Sequence, residues 1–239
     1  MTRSSLIFYQ GSSCIDGSEI IGVLSGLNGT SANSKTGNVI QTWILSAYED
    51  PIKAAATGAD YSICGDCIMR HYSKGACYVV LLHGPQNIYK SAKAGRIPKI
   101  QDLNREQQHK VNRQLKKRPI RLGSYGDPAA IPGDVWSRIL ALVPSRTGFT
   151  HQWESSHAAW LKGLVMASCE TRSAAGKAQA AGWKTSRTSV SGKPDRNEMI
   201  CLNHAKDPWQ CDECKICDGI TKNVVGPVHG SRKGRFRNE

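Results

Sequence analysis

The sequence predicts an α/β fold in which parallel β/α repeats form a partial or complete barrel, with a cysteine-rich C-terminal appendage. Strand-like apolar runs alternate with helix-forming segments through the middle of the chain, and 239 residues is the upper end of what one such barrel usually occupies. Four of the nine cysteines lie within residues 201–217. We therefore expect a barrel-like domain over residues 1–190 and a metal-binding appendage with a basic tail over residues 191–239.

The N-terminal part predicts a loop followed by buried strands. Residues 11–37 are rich in Ser, Gly, Asn and Thr, which is typical of a loop, whereas residues 39–45 are β-branched and apolar enough for a buried strand. A further buried strand is expected at residues 77–82. Residues 102–117 contain few apolar side chains and many helix formers, which predicts a polar helix. Its exposed basic residues would be Arg105, Lys110, Arg113, Lys116 and Lys117.

Beyond this helix the chain alternates regularly. The pattern predicts strands at residues 120–123, 164–168 and 183–187, a short segment at 148–151, and helices at 133–143 and 173–181. Such alternation implies a parallel sheet with right-handed crossovers, for which a barrel is a natural closure. Because the carboxyl ends of parallel strands share one face, residues 124–128, 151–153 and 168–170 should converge on a candidate active site. Asp127 and His151 are its candidate catalytic residues.

Seven cysteines fall into two groups that we predict to bind metal. The first cysteine group consists of Cys64, Cys67 and Cys77. The second cysteine group consists of Cys201, Cys211, Cys214 and Cys217. The N-terminus starts no convincing export signal, and in a cytosolic chain clustered C-x-x-C pairs more often ligate metal than form a disulfide framework. We predict iron–sulfur clusters, of the 4Fe-4S type, and zinc is the alternative.

The two groups differ in completeness. The second group has the spacing C-x9-C-x2-C-x2-C, similar to the run that holds a four-iron cluster in bacterial ferredoxins, and His204 is a possible substitute ligand. The first group supplies only three thiolates. Either His71 or His83 completes a zinc site there, or a three-cysteine cluster leaves one metal position open to a substrate or cofactor. The remaining cysteines, Cys14 and Cys169, are expected to be buried apolar residues.

The charge of the chain indicates a polyanionic partner. Its 32 Lys and Arg against 19 Asp and Glu give a net charge of +13, which favours nucleic acid, with another anion or simple solubility as the alternative. The basic tail at residues 231–237 is expected to be disordered until it meets an anion. No apolar run is long enough to span a membrane, so a cytoplasmic protein is expected. The oligomeric state does not follow from the sequence.

Short motifs are distributed along nearly the whole chain. They are Asn33-Ser34-Lys35-Thr36-Gly37, Gln41-Thr42-Trp43, Cys64-Gly65-Asp66-Cys67, Gly75-Ala76-Cys77-Tyr78-Val79, Gly126-Asp127-Pro128, Thr150-His151-Gln152-Trp153 and Met166-Ala167-Ser168. With these motifs the chain resembles a family of uncharacterised phage and prophage proteins, which implies the cytoplasm of a host cell as its location. More distantly, the arrangement is similar to radical S-adenosylmethionine enzymes, whose partial barrels hold a three-cysteine cluster after an early strand.

That second resemblance implies a role for one turn and leaves two functions open. Gly126, Asp127 and Pro128 would take the place of a Gly-Gly-Glu-Pro-like segment and bind S-adenosylmethionine, with contact to its amine. Those enzymes typically use C-x3-C-x2-C within one loop, a spacing that this chain does not have. One hypothesis is a phage iron–sulfur or radical enzyme acting on or near nucleic acid. The other is a non-enzymatic nucleic-acid-binding protein with structural zinc.

Overall fold

The structure, a computed structural model, describes residues 4–29 and 33–237. The strands in this part of the chain are β1 (Ser5–Ser12), β2 (Glu19–Ser25), β3 (Ile40–Ser46), β4 (Ile120–Tyr125), β5 (Arg146–Thr150), β6 (Met166–Cys169), β7 (Thr185–Ser189), β8 (Glu198–Ile200) and β9 (Asn223–Pro227). The helices are α1 (Pro51–Thr57), α2 (Tyr61–Cys64), α3 (Gly84–Lys93), α4 (Arg105–Lys117), α5 (Gly133–Leu140), α6 (Arg172–Ala180) and α7 (Cys211–Cys214).

All these strands belong to one mixed sheet, which confirms the predicted α/β class. The spatial order is β1-β2-β3-β4-β5-β6-β7-β9-β8, so that strands β3 to β7 follow one another in chain order. Strands β1, β2 and β3 pair antiparallel, and every later pairing is parallel. The carboxyl ends of β3 to β7 therefore lie along the same edge of the sheet.

The N-terminal hairpin is the first difference from the sequence prediction. Residues 11–37 were expected to form a loop, but they contain the end of β1 and all of β2. The apolar run in β2 explains the difference, because Ile20, Val23 and Leu24 are at most 1% exposed. Burial between β1 and β3 outweighs the loop-like composition on either side of this run.

The prediction of a strand at residues 77–82 is also wrong. This segment is irregular, and Val80 and Leu82 are exposed. Its backbone bonds are local, as in the 3.2 Å bond from the His83 amide to the Val80 carbonyl. Both edges of β3, the preceding strand, are already occupied by β2 and β4. The segment therefore has no strand edge beside β3 with which to pair.

The C-terminal segment contributes to the same sheet. Residues 191–239 were expected to form an appendage, but β9 pairs with β7 and β8 pairs with β9, both in parallel. An ion pair supports this edge: Arg187 of β7 and Glu198 of β8 are 2% and 3% exposed at their side chains, and their closest nitrogen and oxygen are 2.6 Å apart. The cysteine-rich segment thus shares the sheet of the preceding domain.

The predicted polar helix is confirmed as α4. Asn104 caps its first turn through a 2.9 Å bond from the Gln107 amide, and the Gln107 side chain accepts a bond from the Asn104 amide in return. Val111 and Leu115 are buried against the core. Of the basic side chains expected to be exposed, Arg105, Arg113, Lys116 and Lys117 are exposed and Lys110 is partly buried.

Within residues 4–29 and 33–237, the helices lack the combination of length and apolar character that a bilayer crossing requires.

Candidate functional site

The candidate site begins at the carboxyl ends of β4, β5 and β6, where the predicted convergence is confirmed. The Asp127 carboxylate accepts a 2.8 Å bond from the Thr150 hydroxyl and a 2.7 Å bond from the His151 backbone amide. His151 Nε2 lies 2.8 Å from the Glu170 carboxylate. These contacts join residues that follow three neighbouring parallel strands.

The first cysteine group lies on the same face, in the long connection after β3. Helix α2 ends at Cys64, and Gly65 then turns the chain with φ of 53°. A Cβ on this glycine would lie 2.5 Å from the Gln152 amide group, which itself donates to the Cys64 carbonyl at 3.1 Å. The Asp127 backbone amide donates to the Ile63 carbonyl at 2.6 Å. The cysteine turn is thus held against the ends of both β4 and β5.

The three thiols of this group lie within electrostatic range of one another. Burial raises the pKa of Cys64 well above its ordinary value, and the charges of Cys67 and Cys77 raise it further. Burial likewise raises the pKa of Cys77 to about 11. Without a counter-charge the Cys64 and Cys77 thiols are therefore protonated at neutral pH. A bound cation would remove that penalty, since thiolates are the metal-binding form.

His151 lies within electrostatic range of the first cysteine group. Its Nε2 is 2.8 Å from the Glu170 carboxylate, and the charge of Cys67 acts on its ring. Burial alone lowers the pKa of His151, but the Cys67 and Glu170 charges outweigh burial and raise the pKa well above its usual range. A histidine between a thiol and a carboxylate can stabilise a thiolate or hold a proton beside it.

A buried arginine, Arg70, stabilises the turn that carries Cys64 and Cys67. The Arg70 guanidinium donates to the Asp60 carboxylate at 2.5 Å and to the carbonyls of Gly58 and Gly65 at 3.0 Å each. Its charge lies 5.2 Å from the centre of the Tyr61 ring. No sequence spacing marks Arg70, because its partners are assembled only by the fold of the loop.

The C-terminal tail covers another side of the first group, contrary to the expected disorder. Arg232 donates to the Gly75 carbonyl at 3.0 Å and lies 2.8 Å from His71 Nδ1, and Phe236 is buried. The other ring nitrogen of His71 lies 3.1 Å from the Val79 carbonyl. Both nitrogens of His71 are thus engaged within the chain, which leaves it poorly placed as the predicted fourth ligand.

The second cysteine group is bonded to strands β5 and β9 of the sheet. Short helix α7 carries two of its members, and the Cys201 amide donates to the Val225 carbonyl of β9 at 2.8 Å. The Gly148 amide of β5 donates to the Cys217 carbonyl at 3.2 Å. Burial raises the pKa of Cys217, and the other three thiolates of the group raise it further. The four cysteines of the predicted group therefore lie within electrostatic range of one another, against the sheet.

A loop from the N-terminal part holds α7 in place. The Asp212 amide donates to the Thr36 carbonyl at 3.2 Å, and the Asn38 amide donates to the Asp212 carboxylate at 2.8 Å. The first residue of α7 donates to the Lys35 carbonyl at 3.2 Å. These bonds give the Asn33-to-Gly37 motif a structural role as a clamp on the second cysteine group.

The turn predicted to bind a cofactor is packed inside the protein. Asp127 is 5% exposed and accepts a third bond, at 3.0 Å, from the Ala129 amide. Burial raises the pKa of Asp127 despite these donors and the neighbouring His151. Pro128 is buried, and a Cβ on Gly126 would lie 2.7 Å from the Ile44 Cβ. This geometry gives the turn a positioning role, while its contact with a cofactor stays a prediction.

Neither a metal nor a relative identifies the site. In the described residues, no group of three or more cysteine, histidine, aspartate or glutamate side chains is arranged to hold a metal ion. Comparisons with protein-family models, curated proteins and solved structures give no match. The iron–sulfur assignment, the cofactor and both resemblances therefore stay predictions.

Proposed function

We propose that the chain is an iron–sulfur redox enzyme whose reactive centre is held by the first cysteine group, Cys64, Cys67 and Cys77. The observation that carries the proposal is the meeting of these thiols with His151 at the carboxyl ends of parallel strands. Enzymes with β/α repeats have their active sites at this face. The unbroken chain order of β3 to β7 supports our further proposal that the sheet curves as a partial barrel, with the cysteine-rich C-terminal segment at its edge.

The donor set suits the proposed group. Thiolates are soft ligands that select iron–sulfur clusters, copper(I) or zinc, and a cluster supplies one-electron transfer when bound. With three cysteines, one metal position is free of a protein thiolate and is available to a substrate or cofactor. The charge of Cys67 raises the pKa of His151, so the imidazole can hold a proton near that sulfur, while Glu170 orients the imidazole.

S-adenosylmethionine is the cofactor that the more distant resemblance implies. The residues of the Gly126-Asp127-Pro128 turn do not fit the predicted contact with its amine, because the Asp127 carboxylate already accepts three bonds from the chain. We derive no step through this cofactor. The proposal therefore commits to iron–sulfur redox chemistry and not to a particular cofactor.

A second candidate function follows from the electrostatic effect of Cys67 on His151, whose Nε2 lies 2.8 Å from the Glu170 carboxylate. A thiol beside an imidazole that is oriented by a carboxylate is the arrangement of a nucleophilic cysteine in acyl transfer. In this hypothesis Cys67 alone attacks the substrate. Cys64 and Cys77 would then only shape the site.

Serine substitutions distinguish the two functions. We expect Cys64→Ser, Cys67→Ser and Cys77→Ser each to lower the iron content of anaerobically purified protein by the same amount. Cys14→Ser, at an exposed cysteine outside both groups, is the matched control and should retain full iron content. Full iron content in all three site variants would contradict the proposal. If, in addition, Cys67→Ser were the one variant to lose rapid labelling by iodoacetamide, the hypothesis of a nucleophilic Cys67 would be favoured instead.

We propose nucleic acid as the partner, on the basis of the net charge of +13 and the exposed cations of α4. The logarithm of the binding constant falls linearly with the logarithm of the salt concentration. Each phosphate contact that is lost makes this slope shallower by about 0.9 for duplex DNA and by about 0.7 for single-stranded nucleic acid. Arg113→Gln, Lys116→Gln and Lys117→Gln together should therefore reduce this slope, whereas Lys177→Gln on α6 should not. Equal slopes for the triple α4 variant and the parent protein would exclude α4 as the contact surface.

The non-enzymatic alternative shares this partner but not the redox centre. It requires zinc in both cysteine groups. It also requires nucleic-acid binding that is unchanged when a candidate catalytic residue is substituted. Metal analysis of the same samples separates it from the enzyme proposal, because a colourless protein that contains zinc would favour the structural role.

A further inference from the structure

Three aromatic rings from distant parts of the chain lie in a row. Tyr78, in the connection after β3, has its ring centre 5.1 Å from that of His229, which follows β9, with 32° between the ring planes. The His229 ring centre lies 5.1 Å from that of His204, which follows β8, with 48° between the planes. We call Tyr78, His229 and His204 the aromatic row. The row joins three segments that only the fold brings together.

Backbone packing holds the row in place. A Cβ on Gly230, which follows His229, would lie 2.9 Å from the Tyr78 Cα, so the two segments pack without room for a side chain between them. The His229 Nδ1 atom lies 3.1 Å from the Pro227 carbonyl. The ring positions therefore depend on the fold and not on free rotation of surface side chains.

Positive charge flanks the row at both ends. The Arg121 guanidinium of β4 donates to the Tyr78 hydroxyl at 2.7 Å, and its carbon lies 5.3 Å from the centre of the Phe149 ring on β5. At the other end, the Lys35 carbonyl accepts a 3.1 Å bond from the side chain of Asn203, which lies next to the last ring of the row. Lys35 is exposed.

The rings are accessible, and the two imidazoles are neutral at neutral pH. Tyr78 is 41% exposed, and His204 and His229 are partly exposed. Burial lowers the pKa of both histidines, and the charge of Lys35 lowers both further. Arg121 is bonded to the Tyr78 hydroxyl, at the edge of the ring, so this bond covers neither ring face. The result is a neutral aromatic surface with a cation at each end.

We propose that the aromatic row binds single-stranded nucleic acid by base stacking, with Arg121 and Lys35 beside the phosphates of the strand. The inference rests on the proposed nucleic-acid partner and narrows it to single strands. Unpaired bases have free faces that stack on aromatic side chains, whereas the bases of a duplex already stack on one another. Cations beside such rings neutralise the phosphates. Because Tyr78 directly follows Cys77, a strand bound here lies next to the first cysteine group.

The test measures how tightly the full chain, purified anaerobically, binds fluorescein-labelled strands of about 12 thymidines or uridines. The thymidine strand paired with its adenosine complement is the duplex, and fluorescence anisotropy is read at one salt concentration. Tyr78→Leu and His229→Leu each remove one ring of the row, and Tyr78→Phe retains the ring without the hydroxyl. Tyr48→Leu is the matched control, since Tyr48 is 74% exposed and lies outside the row.

We expect Tyr78→Leu and His229→Leu each to weaken single-strand binding by about fivefold or more, the loss that corresponds to one stacked base. Their binding to the duplex, and the binding of Tyr78→Phe and Tyr48→Leu to the single strands, should stay close to that of the parent. Unchanged single-strand binding in both Leu variants, an equal loss for single strand and duplex, or a parent that binds only the duplex would overturn the inference alone. A parent protein that binds neither form would overturn the proposed partner as well.

A second measurement uses the unmodified chain and so does not depend on the folding of the variants. A strand with iododeoxyuridine in place of thymidine is bound and irradiated, and the cross-linked peptides are mapped by mass spectrometry. Because the iodinated base couples to an aromatic ring on which it stacks, we expect attachment at Tyr78 or His229. Attachment confined to α4 or to residues 231–237 would overturn the inference.

Discussion

Removal of the Asp127 carboxylate should destabilise the protein, because this group joins the ends of β4 and β5. The carboxylate accepts bonds from the Thr150 hydroxyl at 2.8 Å, the His151 amide at 2.7 Å and the Ala129 amide at 3.0 Å. Each buried donor left without an acceptor costs about 1–3 kcal/mol. Asp127→Ala leaves three such donors, so we expect a loss of about 4 kcal/mol, since the Thr150 hydroxyl can reorient.

Asp127→Asn is the milder form of the same change. Its amide oxygen can replace one carboxylate oxygen, but its NH2 group then faces a donor, which predicts a loss of about 2 kcal/mol. The assay is urea unfolding of metal-free protein at pH 7, followed by tryptophan fluorescence. Asp134→Asn is the matched control, because Asp134 is 66% exposed in its pair with Arg138 and should cost less than about 0.5 kcal/mol. Free energies of unfolding for the Asp127 variants within about 0.5 kcal/mol of the parent value would refute a positioning role.

Three further predictions test the clamp, the tail and the thiols. Gly37→Ala should lower the iron content of the second group, because φ is 65° there and a Cβ would overlap the Asp212 carboxylate; Gly163→Ala, with φ of 77° and free space, should not. Arg232→Ala should expose Cys77 to alkylation in the metal-free protein, whereas unchanged labelling would argue against a covering role of the tail. Burial raises the pKa of Cys77 from 9.0 to about 11, so the folded state favours the protonated thiol. The stability that this preference contributes is fully present below pH 9 and is lost as the pH rises to about 11. In urea unfolding, Cys77→Ser should therefore lose less stability than the parent over this interval, and identical pH profiles would contradict the shift.

The parallel part of the fold could be predicted because its signals are local. Apolar runs alternate with capped helices from β4 to β7, and right-handed connection of such units leaves little choice of topology. The same rule predicted that Asp127, His151 and Glu170 would meet, since each lies one or two residues after a parallel strand. Their hydrogen bonds bear this out.

The remaining parts depend on contacts that are distant in sequence. An apolar run becomes a strand only if another strand edge is free, which is why β2 pairs within a loop-like composition while residues 77–82 do not pair. Arg121 and Arg232 belong to basic sequences that are typical of solvated surface. Their partners, Tyr78 and His71, lie 43 and 161 residues away, so no spacing in the sequence indicates them.

The central claim is that the first cysteine group holds an iron–sulfur centre beside His151. Its most direct test is the content of iron, acid-labile sulfide and zinc in anaerobically purified protein, measured for the parent chain and for Cys67→Ser. We predict a coloured parent protein with iron and sulfide in equal amounts, and a loss of roughly four of each per chain in the variant, as expected for one 4Fe-4S cluster. A colourless parent protein with zinc in place of iron, or an iron content that Cys67→Ser leaves unchanged, would contradict the claim.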